Sequence, residues 1–519
     1  ITHTINSTIS EWFLDQLEEG SPLYNIPSAL RLQGAINTEA LQAALDQLIQ
    51  RHESLRTTFK TEGREPVVVL HDKLNIPLQQ CSLDGDEQSE LTRLCNETFD
   101  LATGPLLKVY LLRTGEAEHI LLIIVHHIVA DGWSLGILMR ELASLYAAHV
   151  SGTVADLPAL PVQYADYAAW QRELLSGTEL ERHMTYWRQQ LTGAPPVLEL
   201  TTDHLRPATS SHQGAWATEV FPLEFLRQLE QLARDRGVTL YMVLLAAFNV
   251  LLYRYTRQED LLIGTPVAGR QRTETEGLVG LFVNSVIIRS QLHDNLNFGE
   301  LLQQIANTSL DALTHQDMPF EKLVEELQPD RDASYAPLFQ IMFNMQSREQ
   351  EQVPFTDLTV SPVIANPGTA KFDLNVLMEN REDGLAAWFE YSTDLFDEIT
   401  IKRMLHHFRK LLETIVTNPE IQLADLPLLD ENERQLLLQS WNNTHVDFPT
   451  DATLISLFEA QVARTPDAIA LIFGDEQLTY AELNTSANQL GHHLRSAGVG
   501  PESLVGVCME RSFEMLIAL

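Results

Sequence analysis

The unbroken apolar run Ile120-Leu121-Leu122-Ile123-Ile124-Val125 ends on two adjacent histidines, His126-His127, and Ile128-Val129-Ala130 then leads into Asp131-Gly132. The run reads as a strand, and Asp131-Gly132 as the turn that feeds a helix from Ser134 to about His149. Consecutive side chains of a strand point to opposite faces, so only one of the two histidines can face a given cavity. His127 is nearer the turn and its carboxylate, and is assigned to the site; His126 is assigned to the core. Asp131 reads either as a turn former or as one half of a buried ion pair with an arginine from another element. Two further pairs, His406-His407 and His492-His493, lie in helical patterns without a following Asp-Gly and read as structural or solvated. A zinc site at His127 and Asp131 lacks a third ligand at suitable spacing, and no metal is assigned.

At 519 residues the chain exceeds one ordinary core, and about 150 residues per domain suggests about three folding units. Thr8-Ile9-Ser10-Glu11 reads as the capping box of a first helix that Gly20 stops, with apolar surface from Ile9, Trp12, Phe13 and Leu17. A helix from Thr38 to about His52, a hairpin through Thr61-Glu62-Gly63, and strands at 106–112 and 120–125 follow. The pattern is α+β with a mainly antiparallel sheet. Pro158, Pro161, Pro195, Pro196 and Pro207 punctuate a crossing that contains the helix from Tyr164 to Leu175. A second lobe alternates in the same style, with helices at 223–236, 240–255 and 298–313 and strands at 260–264 and 281–289. A late strand at 385–391 and helix at 401–416 complete it. The expected division is 1–175 and 176–428 for two related lobes, 429–452 for a linker, and 453–519 for a further domain. That last stretch ends inside an uncapped apolar helix and reads as a truncated α/β fragment.

With 35 basic against 71 acidic residues, the formal charge of -36 repels phosphate backbones and anionic lipid, so neither nucleic acid nor membrane is an expected partner. No segment approaches the roughly 18 apolar residues of a span, and the first residues lack a secretory pattern. Cys81, Cys95 and Cys508 match no zinc ribbon or redox pair and read as reduced thiols of a cytoplasmic protein.

Around these residues the chain resembles the condensation domains of nonribosomal peptide synthetases, which belong with the chloramphenicol acetyltransferase-like acyltransferases. Arg51 to Phe59 is similar to the family's early arginine motif, His126 to Ser134 to its His-His-x-x-x-Asp-Gly motif, and Tyr164 to Trp170 to its aromatic motif. Val279 to Ser285 with Arg289, His315 to Glu321, and Arg331 to Leu338 continue the series in family order, and Trp12 to Leu17 resembles the first motif without its usual preceding Ala-Gln-x-Arg-Leu. The resemblance covers about residues 1 to 430. Leu478 to Leu483 is similar to the first core motif of adenylation domains, whose phosphate loop is not within the chain.

The resemblance implies two chloramphenicol acetyltransferase-like lobes forming a V-shaped pseudo-dimer, and attack of an acceptor aminoacyl amine on a donor thioester. Both substrates would ride on 4'-phosphopantetheine arms of partner carrier proteins, an upstream donor and a downstream acceptor. No cofactor bound covalently to this chain is implied, and ATP and Mg only with the rest of the adenylation domain. His127 is assigned as base or positioning group, and Gly132 as room and an amide near the oxyanion. Asp131 is expected to pair with Arg289, or alternatively Arg56, and Trp170 and Asn284 to shape channel walls. An epimerising relative and a catalytically silent docking platform are the competing readings. The heterocyclising relative carries aspartates where this chain has its histidine pair.

Overall fold

The apolar run sits inside the strand Glu118–His126, in which every residue from Ile120 to His126 is buried. Burial on both faces explains why the run does not alternate. The computed structural model describes residues 6–17, 20–62, 65–83, 85–328, 334–347, 355–448 and 450–519. They form two units, Ile1–Asp430 and Glu431–Leu519.

In the first unit the strands are β1 (Asn25–Gln33), β2 (Thr57–Glu62), β3 (Glu65–Leu70), β4 (Leu78–Ser82), β5 (Leu107–Arg113) and β6 (Glu118–His126). They continue as β7 (Gly214–Pro222), β8 (Asp260–Val267), β9 (Asn284–Gln291), β10 (Ile341–Ser347), β11 (Thr359–Val363), β12 (Leu374–Arg381) and β13 (Gly384–Ser392). One sheet has the order β11-β1-β6-β5-β4, the other β7-β13-β12-β10-β8-β9, and β2 and β3 form the expected hairpin. Most pairings are antiparallel; β4 with β5 and β10 with its two neighbours are parallel. The α+β expectation is borne out. β11 comes from the second half of the chain yet pairs with β1, placing Val363 opposite Ala29.

The helices that frame the site are α1 (Asn6–Leu17), α2 (Thr38–Arg51), α3 (Glu87–Cys95), α4 (Gly132–Ser151) and α5 (Tyr164–Leu174). Glu141 of α4 takes a hydrogen bond from Arg51 and lies 2.8 Å from His52, which staples α2 to α4. Each lobe has its own apolar core, and that of the first also takes in Val279 and Phe355 from beyond the crossing.

Two expectations need correction. α1 is already under way at Asn6, so Thr8 and Glu11 lie inside it and do not cap it. The strand expected over 281–289 begins at Asn284, because Gly280 to Val283 serve as a loop around Asp131. Of the last motif, Arg331, Asp332 and Ala333 lie outside the described residues, as does Gly63 of the hairpin turn. Among the described residues no single helix is long and apolar enough to cross a membrane.

The second unit opens with a short helix, Glu431–Gln435. A helix Leu454–Arg464, a hairpin of Ile469–Phe473 with Glu476–Thr479, and a helix Tyr480–Ser496 follow. Thr479 and Glu482 form a reciprocal capping box at the start of that last helix.

Candidate active site

β6 ends on His126, and His127 opens the single 3-10 turn, His127–Val129, that follows. His126 is buried between Tyr24 and the edge of Phe99, and its Nδ1 accepts a hydrogen bond from the Ile128 amide. Burial, with a smaller push from Lys371, lowers its pKa to about 3, so the ring is neutral at ordinary pH. This is the core role expected of it.

His127 faces the other way and is half-buried, with 19% of its side chain exposed. Burial first, then the positive Lys371 and the neighbouring His126, hold its pKa well below the usual histidine value. Oε1 of Glu11, on α1, lies 3.3 Å from its Nδ1.

Asp131 caps α4 and is locked from four directions. Oδ1 accepts from the Ser134 amide at 2.8 Å and lies 2.7 Å from the Ser134 hydroxyl. The Phe282 amide donates to Oδ2 at 3.0 Å, and Arg270 Nη2 donates to Oδ1 at 3.1 Å. The ion pair is with Arg270, not with Arg289 or Arg56. Arg289 is held by Asp260 and by the carbonyls of Gln190 and Thr192, and Arg56 by the His71 carbonyl and Glu53. Arg270 and Asp131 are both almost fully enclosed. Arg270 also donates to the Thr275 and Leu278 carbonyls, and its guanidinium lies 3.9 Å from the centre of the Phe282 ring. One carboxylate thus ties β6 and α4 of the first lobe to the loop before β9 in the second.

Gly132 is the first residue of α4, and a Cβ built on it meets no atom within 4 Å. Trp170 lies under the guanidinium of Arg272 and packs on Tyr167, which in turn packs on Phe282. Asn284 donates to the Gln316 and Met318 carbonyls and accepts from the Phe320 amide. It therefore clamps the turn before the helix Phe320–Leu327, and its polar atoms are spent on that turn. The His315 ring stacks on Tyr186 and its Nδ1 lies 3.2 Å from that of His183.

Three residues at the site were missed in the sequence. Arg270 carries no local signal for a partner 139 residues away. Glu11 sits in a capping pattern, which hid its other use. Lys371 follows the segment 365–370 between β11 and β12, and its ammonium lies 4.5 Å from the Tyr24 ring centre. A cleft of about 630 Å³ borders the same segment, lined by Ser210 to Gln213, Pro367 to Thr369, Thr92 and Asn96.

Residues 7–438 match the family model of the condensation domain, and residues 458–519 match that of the AMP-binding enzyme. A linear gramicidin synthase of Brevibacillus parabrevis is 44% identical over 516 residues, covering 98% of this chain and 7% of that protein. The chain thus spans a small part of such a relative. The X-domain from teicoplanin biosynthesis, solved in complex with OxyB, is 27% identical with a TM-score of 0.76, covering 83% of this chain and 96% of that one. A four-domain nonribosomal peptide synthetase bound to AMP and glycine superposes with a TM-score of 0.85 at 23% identity, over 96% of this chain and 39% of that one. The last is a likeness of fold alone.

Proposed function

Because the chain belongs to the condensation-domain family, we propose that it joins a donor acyl or peptidyl thioester to the amine of an acceptor aminoacyl thioester, both on phosphopantetheine arms of carrier proteins. The observation that carries this reading is His127: a neutral, half-exposed imidazole at the end of a rigid strand, beside a carboxylate that four donors immobilise.

The amine nitrogen attacks the thioester carbon, the C–S bond breaks, and the proton lost by nitrogen ends on the departing thiol. An α-amino group has a pKa of about 7.7 to 8.0, so its free base costs only about 1 kcal/mol near neutrality. A base adds roughly 10²- to 10⁴-fold, whereas alignment of two reactants is worth about 7 to 11 kcal/mol. His127 accordingly acts first by receiving and orienting the amine. The Gly132 amide, in the first turn of α4, is the donor nearest in sequence for the developing oxyanion.

The likeness to an X-domain solved with OxyB favours one second reading, a platform that recruits a partner without turnover. Loading two carriers with donor and acceptor and weighing the product thioester separates the two. A dipeptidyl thioester that His127→Ala abolishes supports condensation; no product from the wild type with matched carriers overturns it. Deuterium uptake at the donor Cα without amide product identifies an epimerising relative.

A further inference from the structure

Glu11 stands on α1, among the apolar residues of that helix, and its carboxylate reaches the ring of His127. The contact joins two side chains that each carry a buried polar atom without a hydrogen bond. Nδ1 of His127 and Oε2 of Glu11 are both buried, and neither has a hydrogen-bond partner among the described residues. Leaving a buried donor or acceptor unpaired costs more than a bond made elsewhere gains. Oε1 of Glu11 already lies within hydrogen-bond distance of Nδ1 at 3.3 Å, and a small reorientation of ring or carboxylate turns the contact into a hydrogen bond that gives Nδ1 its partner. Contacts of this kind are often long in the free enzyme and tighten with substrate bound.

We propose that Glu11 is a positioning residue for His127: its carboxylate accepts the Nδ1 hydrogen, which leaves the Nε2 lone pair to receive a hydrogen from the attacking amine. The proposal rests on the reading of His127 as the group that meets the amine. As the nitrogen attacks and the C–S bond breaks, its proton passes to Nε2 and then to the thiolate. The transient imidazolium has Glu11 as its counter-charge, and no other reactant is consumed. The logic is that of any base whose far nitrogen is held by an acid.

Surrounding charges set when the carboxylate is available. Facing Glu11 are His127 on the turn after β6, Lys371 on the β11–β12 link, Glu321 on the helix Phe320–Leu327 and Tyr164 on α5; Glu390 of β13 faces Lys371. Burial raises the Glu11 pKa to about 8, with Lys371 opposing and Glu321 adding to the rise. Below that value the acid is protonated and its O–H points a hydrogen at Nδ1, which favours the other tautomer. Above it the carboxylate accepts.

The test compares single-turnover amide formation by the wild type and Glu11→Gln from pH 6.5 to 9.5, with pre-loaded carriers. The amine's own titration is common to both proteins and cancels in their ratio. The ratio is expected to rise from near one to about tenfold as pH passes 8, because glutamine keeps the shape but never ionises. Glu11→Asp should regain part of the rise, and a flat ratio overturns the proposal. A second measurement needs no turnover: nitrogen NMR of the full chain with labelled histidine, His127 assigned by its loss in His127→Gln. At pH 9.5 the hydrogen is expected on Nδ1, and finding it on Nε2 overturns the proposal. A chain that forms no amide but carries the Nδ1 hydrogen loses the condensation reading and keeps only the Glu11–His127 hydrogen bond, so the two failures are distinguishable.

Discussion

Asp131 takes donors from three separate parts of the chain, the Ser134 backbone and hydroxyl, Arg270, and the Phe282 amide. Taking one partner from such an enclosed pair leaves a buried charge, which costs about 3 to 5 kcal/mol. Arg270→Ala is therefore expected to lower the unfolding free energy of the first unit by that amount, read from a lower urea midpoint at unchanged slope by tryptophan fluorescence. Arg270→Lys should recover little, since a single ammonium cannot reach Asp131 and the Thr275 and Leu278 carbonyls together. His126 leads to a prediction of opposite cause. Its pKa is about 3 in the fold and near 6.5 when unfolded, so the unfolded chain binds the extra proton between those values. Stability then falls as pH drops below 6.5, by about 2 to 3 kcal/mol near pH 4.5 from this ring alone. Glu11, with a raised pKa, titrates with the opposite sign. It is common to wild type and His126→Asn, so the variant's acid limb should be the shallower of the two in thermal melts. At this scale the burial of His126 at the end of the apolar run was legible, although His127 lies in the 3-10 turn after the strand and not in the strand itself. The partner of Asp131 was not, because an ion pair between distant segments leaves no mark on the local pattern of either.

The element that carries the site, strand to turn to helix over residues 118–151, was legible because each part has a strong local cause: an apolar run, an Asp cap, and a helical repeat ended by Gly152 at a φ of 67°. β11 was not. Its sequence Thr-Val-Ser-Pro-Val is half polar, contains a proline, and lies on a sheet edge, where neither burial nor alternation writes a clear pattern. It is nonetheless what ties the second half of the chain to the first sheet, before the link that brings in Lys371. Loops between elements can be probed through their glycines. A Cβ at Gly280 would lie 2.1 Å from the Tyr164 ring, whose hydroxyl donates to the Leu281 carbonyl. Gly280→Ala is expected to push α5 away and cost about 1 to 3 kcal/mol by overpacking. Gly132→Ala is the contrasting case. Its methyl enters open space, so the melting midpoint should stay put, within what about 0.5 kcal/mol would move it, while the single-turnover rate falls if that space receives substrate.

For the whole molecule, the alternation of helix and strand predicts two lobes of similar style, and the first unit holds two apolar cores. What the alternation could not convey is that the lobes exchange parts, with β11 in the first sheet and Val279 and Phe355 in the first core. A structure so interleaved is expected to unfold without a stable half. The second unit is organised differently. Among its described apolar residues only Leu483 is buried, while Leu454, Ile455, Ile472 and Leu504 are exposed. Both large apolar cores lie wholly within Ile1–Asp430. Since apolar burial is the dominant favourable term in folding, nearly all of it belongs to the first unit. A chain ending at Asp430 should therefore keep the main calorimetric transition of the full protein within a few degrees and retain its single-turnover rate with loaded carriers. A drop of tenfold or more in that rate, with the transition intact, would mean that residues 431–519 contribute directly to amide formation.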